Sequence, residues 1–151
     1  MSTNSKNASV LVIGSTGFLG MEICRQLVRA GKNVKALVRP TSDYAKITAL
    51  KEMGVETREG DLKNPTSIKK ALEGVDSVIT TASSTFSRQE GDSIESVDQN
   101  GQSNLVQAAI DKGVNQFIYI SFRPMKGEFP LQTAKRKVEK LIKESLSLIH
   151  I

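Results

Sequence analysis

Short apolar runs alternate along this chain with segments in which apolar residues recur at helical spacing. The runs are four to six residues long and rich in β-branched side chains, which is typical of buried strands. They predict strands at Ser9–Ile13, Asn33–Val38, Val55–Glu59, Ser77–Thr80 and Gln116–Ile120. The helical spacing between them predicts helices at about Gly17–Ala30, Asp43–Met53, Pro65–Leu72, Ser96–Lys112 and Leu131–Lys143.

The residues between these segments support the boundaries. A glycine stands where each of four helices should end, at Gly31, Gly54, Gly74 and Gly113. Asn64-Pro65 is typical of a helix cap followed by proline at the first helical position. Because strictly alternating strands and helices require right-handed crossovers, the order predicts an α/β fold with a doubly wound parallel sheet.

The two ends of the chain differ from this pattern. Residues 1–8 are polar and predict a disordered tail before one domain over residues 9–145. A doubly wound domain needs a sixth strand after that point, so we expect a domain truncated near the sixth strand. Residues 146–151 fit the start of that strand, but they also match a translated sequencing-library adapter, which is the interpretation that we favour.

A glycine-rich loop, Gly14-Ser15-Thr16-Gly17-Phe18-Leu19-Gly20, joins the first predicted strand to the first predicted helix. Its three glycines suit a tight turn, close backbone approach to a pyrophosphate, and close packing of helix on sheet. The N–H groups at the start of the helix would then meet the phosphates, helped by the helix dipole. The loop predicts a dinucleotide site, and the alternative is an ordinary glycine-rich turn.

Composition changes this picture little. A chain of 151 residues suits one domain, and 38% hydrophobic and 25% charged residues are ordinary for a globular protein. No apolar run approaches the roughly eighteen residues of a membrane span, and the N-terminus lacks an apolar signal core, so we expect a cytoplasmic protein. We expect the single cysteine, Cys24, to be a small buried hydrophobe on the inner face of the first helix.

The net charge of +5 comes largely from six basic residues near the C-terminus, namely Lys126, Lys135, Arg136, Lys137, Lys140 and Lys143. Their helical spacing predicts a solvated helix face. Aromatic residues are sparse and no nucleic-acid motif is present, so nucleic acid is not an expected partner.

We expect Glu90, Asp92 and Glu95 to lie in a solvated loop and helix start.

Several other chemistries find no support in the sequence. The single histidine, His150, lies in segment 146–151, so the rest of the chain has no Ser-His-Asp triad and no histidine ligand for a metal. No CxxC, HExxH or phosphate-binding GxxxxGK[ST] motif occurs. We therefore expect neither hydrolytic nor metal-dependent chemistry.

Taken together, the motifs resemble those of the atypical short-chain dehydrogenase/reductases, particularly the NmrA-like and isoflavone-reductase-like branch. The resemblance runs from about Val10 to Ser145 and implies a Rossmann fold that binds a nicotinamide dinucleotide. Besides the glycine loop, it is carried by Ala36-Leu37-Val38-Arg39, Gly60-Asp61-Leu62, Gly101-Gln102-Ser103-Asn104-Leu105, Phe117-Ile118-Tyr119-Ile120-Ser121 and Ala134-Lys135-Arg136-Lys137-Val138-Glu139. These motifs are specific for the superfamily and far less specific for a substrate.

The end of the second strand distinguishes NADP from NAD. An acidic residue there binds the free ribose 2′-hydroxyl, whereas an arginine accommodates a 2′-phosphate. Arg39 follows this strand with no carboxylate before Asp43, and its planar guanidinium suits phosphate. Ser15 and Thr16 offer hydroxyl donors. We predict NADP(H) rather than NAD(H), and the alternative for Arg39 is a surface charge ending an exposed strand.

The resemblance implies two further groups of cofactor residues. Asp61 would accept a hydrogen bond from the adenine amine and Leu62 would lie against the adenine ring, the alternative being simple turn chemistry at Gly60-Asp61. Thr81, Ala82 and Ser83 follow the fourth strand, at the edge where an open parallel sheet holds its ligand. They are assigned to the cofactor, and a plain serine/threonine loop is the alternative.

The same resemblance implies the catalytic candidates. Short-chain reductases usually pair a tyrosine acid with a lysine four residues later. Lys135 matches this lysine, both as a catalytic residue and as a contact for the cofactor ribose, but Leu131 stands where the tyrosine would be. Ser121 matches a serine near the substrate. A proton donor is therefore not visible, and one more exposed lysine is the alternative for Lys135.

Two functions remain open. The first is an NADPH-dependent oxidoreductase that transfers a hydride to a small electrophile, namely a carbonyl, quinone or conjugated compound. The absence of a tyrosine acid argues against ordinary ketone reduction, because general acid catalysis is worth about 10²–10⁴ in rate. The second is a non-catalytic NADP(H)-binding redox sensor or assembly factor that acts through a protein partner. A sugar-nucleotide epimerase is less favoured because it normally needs the tyrosine.

Overall fold

The computed structural model describes residues 8–87 and 89–145 and the backbone of residues 149–150. Parallel strands form one sheet in the spatial order β3-β2-β1-β4-β5-β6. The strands are β1 (Ser9–Ile13), β2 (Asn33–Val38), β3 (Glu56–Glu59), β4 (Ser77–Thr80), β5 (Gln116–Tyr119) and β6 (Ile149–His150). The strands β1 to β3 extend the sheet in one direction and the strands β4 to β6 extend it in the other, so the switch point lies between β1 and β4. This order confirms the doubly wound fold.

The helices form two layers, one on each face of the sheet. They are α1 (Phe18–Arg29), α2 (Tyr44–Glu52), α3 (Pro65–Ala71), α4 (Gln102–Asp111) and α5 (Pro130–Ser145). The first two pack against one face, and the last three pack against the other. None of the helices in the described part of the chain combines the length and apolar character that crossing a membrane requires.

The central strand β1 contributes to both layers because successive side chains of a strand point to opposite faces. Leu11 and Ile13 belong to the core under α3, α4 and α5, whereas Val12 belongs to the core under α1 and α2. Cys24 of α1 is wholly buried beside Val12, and burial raises the pKa of its thiol to about 11. This cysteine is the small buried hydrophobe that the sequence predicts.

The predicted elements are all present, but the helix expected at Ser96–Lys112 differs in its winding. It begins earlier, as a π-helix over Ile94–Gly101, and continues as α4. Ser93 caps it, since its hydroxyl accepts from the N–H of Ser96 at 2.9 Å and the Ser96 hydroxyl accepts from the N–H of Ser93. Apolar spacing over two turns does not distinguish the two windings, and π segments often occur at functional sites.

The chain ends are only partly described. The tail expected over residues 1–8 lies outside the described residues except for Ala8. The backbone of β6 pairs with β5, with Ile149 opposite Phe117, where a sixth strand is expected. Residues 146–148 and 151 lie outside the described residues. Because backbone pairing does not depend on the origin of a segment, both interpretations of residues 146–151 stay predictions.

The core under α4 offers a direct test of this packing. Leu105 is wholly buried on α4, so Leu105→Ala should lower the free energy of unfolding by about 2–5 kcal/mol. Chemical denaturation followed by circular dichroism measures the loss. Gln107→Ala, at an exposed position of the same helix, is the control and should change stability by less than about 0.5 kcal/mol. Equal losses in the two variants would contradict the packing described.

Candidate functional site

The glycine loop has no room for side chains at two of its positions. Gly14 has a φ of +81°, and a Cβ there would lie 2.5 Å from Thr81 Oγ1 and 2.8 Å from the Ala82 nitrogen. A Cβ on Gly20 would lie 2.0 Å from the carbonyl oxygen of Gly14. The chain therefore turns sharply after β1, and α1 starts directly against the turn.

The start of α1 carries no side-chain cap. Gly17 occupies the capping position with extended backbone, so the first N–H groups of the helix have no acceptor on a capping side chain. Phe18 and Leu19 follow with exposed apolar side chains, Phe18 being 96% exposed. The loop therefore presents helix N–H groups and apolar surface together, which suits a ligand with both anionic and flat apolar parts.

Ser15 is a buried link between the loop and β2. Its hydroxyl donates to the carbonyl oxygen of Leu37 at 2.7 Å, and the residue is wholly buried. A hydroxyl has only one proton to donate, so that of Ser15 is not available to a phosphate. The neighbouring Thr16 is partly exposed. The contact of Ser15 holds the loop at the end of β2, beside Arg39.

The residues after β4 form the opposite wall of this turn. Thr81 donates from its N–H to the carbonyl oxygen of Ile13 at 2.9 Å, which joins the ends of β1 and β4. Ala82 accepts at its carbonyl oxygen from Gln102 Nε2 at 2.9 Å, and Ser83 Oγ lies 2.8 Å from Thr85 Oγ1. The structure thus brings Thr81 and Ala82 against the glycine loop at the switch point of the sheet.

Gln102 is a site residue to which the sequence assigns no role. It is buried at the junction of the π-helix and α4, and its amide also bonds the hydroxyl of Thr80 at 3.0 Å. The side chain therefore holds both the last residue of β4 and the segment after it. The available signal was a polar residue at a core-facing position of an otherwise apolar helix pattern.

A cluster of charges lies at the ends of β2 and β3. Arg39 Nη1 is 2.6 Å from Asp92 Oδ2, and Lys63 Nζ bonds the other carboxylate oxygen, Oδ1. Ser87 also donates to Asp92, whose side chain is only 3% exposed. The expectation that Asp92 lies in a solvated loop is therefore wrong, because the segment after β4 folds back over the two cations.

The same cluster sets the acidity of Asp92. Burial acts to raise the pKa of this carboxyl, but hydrogen bonds from Arg39, Lys63 and Ser87 together outweigh it and lower the pKa to about 2. The neighbouring Glu90 and Glu95 are exposed, as expected. One carboxylate of the three is therefore bound inside the fold.

Asp61 and Leu62 lie beside this cluster. Asp61 Oδ1 accepts from the N–H of Lys63 at 2.8 Å, which is the turn hydrogen bond that the alternative interpretation predicts. Its other oxygen lies 3.5 Å from Lys63 Nζ. Leu62 is buried in the core, where it packs against Gly101 of the π-helix. Their contact with an adenine ring stays a prediction.

Lys135 is buried on α5 rather than exposed. Its Nζ donates to the carbonyl oxygen of Ile120 at 3.0 Å and lies 5.0 Å from the centroid of the Tyr119 ring. Burial lowers the pKa of this ammonium, while Asp98 and Glu139 oppose the shift. Burial is the largest of these effects and the nearby Arg136 adds to it, so the pKa of Lys135 lies below its ordinary value.

The predicted solvated face of six basic residues is wrong for Lys135 and Arg136. The guanidinium of Arg136 lies 5.4 Å from the centroid of the Phe122 ring and bonds the Glu139 carboxylate. Both side chains point toward the end of β5, since this side of α5 packs on the sheet. Lys126, Lys137, Lys140 and Lys143 are exposed, as expected.

Ser121 stands one residue beyond the carbonyl that holds Lys135. Its hydroxyl donates to the Glu139 carboxylate. Burial acts to raise the pKa of Glu139, but the hydrogen bonds from Ser121 and Arg136 outweigh burial, so the pKa is lowered. The proton of Ser121 is therefore bound to a carboxylate, while the oxygen can still accept a hydrogen bond. The structure places both predicted catalytic side chains at the end of β5.

Three buried polar atoms near Lys135 have no hydrogen-bond partner among the described residues, namely Asp98 Oδ1, the Tyr119 hydroxyl and Arg136 Nε. Asp98 uses its other oxygen to accept from the N–H and hydroxyl of Ser84, at 3.0 and 2.6 Å. Burial raises the pKa of Tyr119, and Asp98 and Glu139 add to the shift. Sequence reasoning missed Asp98, although an aspartate in a core-facing helix position is itself a signal.

Comparison with known proteins agrees with this geometry. A model of the NmrA-like family matches residues 6–148. The chain belongs to the NmrA-like family. The expected resemblance is therefore confirmed, and the family is one of dinucleotide-binding proteins.

Relatives of this NmrA-like chain include proteins of two kinds. It is 36% identical over 139 residues to the photosystem II assembly factor Ycf39 of Cyanophora paradoxa, covering 91% of this chain and 42% of that protein. It is 33% identical over 117 residues to a 2-alkyl-3-oxoalkanoate reductase of Shewanella oneidensis, covering 78% and 29% respectively. The chain thus spans about two fifths or less of the length of these relatives.

A solved structure shows the same fold. The complex of leucoanthocyanidin reductase with NADPH from Vitis vinifera superposes with a TM-score of 0.74 at 24% identity, covering 91% of this chain and 46% of that one. At this identity the likeness concerns the fold alone.

The unpartnered hydroxyl of Tyr119 yields a stability test. Tyr119→Phe should raise the free energy of unfolding by about 1 kcal/mol, because a buried polar group without a partner costs about 1–3 kcal/mol. Denaturant titration measures the change, and Tyr44→Phe at an exposed position is the control. A clear loss of stability in Tyr119→Phe would instead show that the hydroxyl has a stabilising partner.

The Asp92 cluster should make part of the stability dependent on acid. Its folded pKa of about 2 lies below the ordinary value of 3.8, so the unfolded chain takes up the proton first. The stabilisation is complete above about pH 5 and is lost as the pH falls toward 2. The stability difference between wild type and Asp92→Asn should therefore shrink on acidification, whereas a pH-independent difference would contradict the ion pairs. Glu90→Gln is the control.

Proposed function

We propose that this chain is the NADP(H)-binding part of an oxidoreductase that transfers a hydride to a small electrophile, namely a carbonyl, quinone or conjugated compound. One observation carries the proposal. At the switch point of the sheet, side chains are excluded at Gly14 and Gly20, and the residue that follows the next strand is Arg39 rather than a carboxylate. Such a turn suits a pyrophosphate, and such an arginine suits a 2′-phosphate.

The described residues fit a dinucleotide at this edge of the sheet. The glycine loop and the start of α1 would hold the pyrophosphate through backbone N–H groups. Thr81, Ala82 and Ser83 have small side chains, which would let a cofactor approach the end of β4. The NADPH complex of the plant reductase of the same fold supports the choice of cofactor. The preference for NADP over NAD and the expected cytoplasmic location are parts of the proposal.

When bound, the nicotinamide ring supplies the hydride. Lys135 would hold the ribose and the reacting oxygen, because one N–H of its ammonium is used by Ile120 and an ammonium has three. The nearby carboxylates of Asp98 and Glu139 oppose the lowering of its pKa by burial. A fixed positive charge in a partly dry site stabilises negative charge that develops on a substrate oxygen.

Protonation of the product limits the substrate class. Leu131 provides no proton, Tyr119 is enclosed in the core, and the proton of Ser121 is bound to Glu139. The proton would therefore come from water. Quinones and conjugated acceptors suit this arrangement better than simple ketones, since their reduced forms carry delocalised charge until water protonates them.

Binding titrations test the cofactor site. The purified chain should bind NADPH more tightly than NADH. Arg39→Ala should lower the affinity for NADPH about tenfold to a hundredfold, since a hydrogen bond to a charged group contributes about 1.5–3 kcal/mol. NADH binding should change little. Arg29→Ala, which removes the same charge at the far end of α1, is the control. Equal or tighter NADH binding would contradict the role of Arg39.

Turnover tests the reaction. Loss of NADPH absorbance with a quinone acceptor should fall by about 10²-fold or more in Lys135→Met, because removal of one preorganised donor costs that much. Lys143→Met, an exposed position on the same helix, is the control. Unchanged turnover in Lys135→Met would contradict its catalytic role.

A second function is favoured by two specific observations. Leu131 replaces the usual tyrosine, and the chain is similar to photosystem II assembly factors as well as to reductases. A protein that binds NADP(H) and reports its occupancy to a protein partner would need the glycine loop and Arg39 but no proton donor. NADPH binding without oxidation by quinones or conjugated carbonyl compounds would favour this second function.

A further inference from the structure

Two cations from different strands meet on one carboxylate. Arg39 bonds Asp92 Oδ2, and Lys63 bonds Asp92 Oδ1, so each oxygen has its own cation. The carboxylate is almost wholly enclosed, whereas the side chains of Arg39 and Lys63 keep 28% and 25% exposure. The two cations are therefore reachable from solvent, and the anion between them is not.

The convergence is built by the sheet. Arg39 follows β2 and Lys63 follows β3, and the N–H of Gly60 bonds the carbonyl oxygen of Val38 at 2.9 Å to keep these strand ends in register. Asp92 arrives from the segment after β4, 53 residues beyond Arg39. The two cations thus stand together just beyond the ends of neighbouring strands, and the anion comes from a separate and irregular segment.

The geometry suits a phosphate monoester. A carboxylate has two oxygens and one charge, whereas a phosphate monoester has three free oxygens and a charge near −2. Arginine and lysine are the usual ligands for such a group. Asp61 Oδ2, at 3.5 Å from Lys63 Nζ, would keep Lys63 in place if the Asp92 carboxylate moved away. The cluster lies at the end of β2, where a dinucleotide fold holds the adenosine ribose.

We propose that Arg39 and Lys63 together bind the ribose 2′-phosphate of NADP(H), and that the Asp92 carboxylate occupies the place of this phosphate until the cofactor binds. The inference rests on the proposed function. It adds Lys63 as a second phosphate ligand and Asp92 as an internal competitor. Binding of NADH leaves the ion pairs intact, whereas binding of NADPH exchanges one anion for another.

Opposite effects are expected from the two new residues. Lys63→Ala removes a ligand and should weaken the binding of compounds that carry a 2′-phosphate. Asp92→Asn removes both the competing anion and its repulsion of the phosphate, so it should make the same compounds bind more tightly. A cluster that only tied the segment after β4 to the sheet would instead change all nucleotides alike.

The matched probes are 2′,5′-ADP and 5′-ADP, which differ only in the 2′-phosphate. In calorimetric titrations of the purified chain, Lys63→Ala should lower the affinity for 2′,5′-ADP about tenfold, and Asp92→Asn should raise it several-fold. The affinity for 5′-ADP should stay unchanged in both variants. Lys69→Ala on α3 and Glu90→Gln in the same segment as Asp92 remove the same charges at exposed positions and should change neither probe. NADPH and NADH are titrated in parallel, with Arg39→Ala included.

The outcomes separate this inference from the proposed function. If wild type prefers NADPH and Arg39→Ala abolishes the preference, but Lys63→Ala and Asp92→Asn leave 2′,5′-ADP unchanged or shift both probes equally, this inference fails and the proposed function stands. If folded wild type prefers neither NADPH nor 2′,5′-ADP, both fail. Circular dichroism identifies folded variants, and Lys63→Gln and Asp92→Ser replace any variant that does not fold.

Discussion

The close approach of β1, α1 and the end of β4 at Gly14 is the constraint on which the rest of the site depends. The Gly14 backbone lies so near Thr81 and Ala82 that no side chain fits between them, and the Gly20 backbone lies equally near the Gly14 carbonyl. Because β1 and β4 are the two strands at the switch point, this contact sets where the crevice of the sheet opens. Any larger residue would separate helix from sheet and displace the residues after β4.

Polar and charged groups collect at the carboxyl edge of the sheet in two separate places. At the ends of β2 and β3, Arg39 and Lys63 hold an enclosed Asp92. At the end of β5, Lys135 is enclosed and faces Asp98 and Glu139. In a dinucleotide-binding fold, these places correspond to the two ends of the crevice, with the glycine loop between them. Burial of a charge is costly without partners, and accordingly two cations hold Asp92 while Lys135 donates to the Ile120 carbonyl oxygen.

Membership of the NmrA-like family leaves reductase and assembly-factor functions both open for the whole protein, since the chain spans only 42% and 29% of the two relatives compared. The difference between the two lies in proton supply more than in nucleotide binding. Tyr119 is a tyrosine near Lys135, but its hydroxyl is enclosed in the core, and Ser121 is bound to Glu139. The geometry thus combines a glycine loop without side chains at the switch point with few groups near Lys135 that could supply a proton.

Local sequence patterns determined the fold and the position of the site. β-Branched runs predicted the strands, glycines marked the helix ends, and the spacing of Gly14, Gly17 and Gly20 predicted the turn, because each of these signals acts within a few neighbouring residues. Arg39 could likewise be identified from its place at the end of a strand. Alternation of elements then restricted the sheet to a doubly wound order.

Only the tertiary structure decided which polar residues are enclosed. Asp92 belongs to a segment that looks solvated in the sequence, yet its partners Arg39 and Lys63 are 53 and 29 residues away. Lys135 lies in a helix with mostly exposed lysines, and its burial follows from the side of α5 that meets β5. Periodicity reports the burial of apolar faces, whereas the partner of a charge depends on distant segments that meet only when the sheet has formed. For that reason the sequence predicted a place for a cofactor, whereas only the fold shows which charges pair with one another at that edge of the sheet.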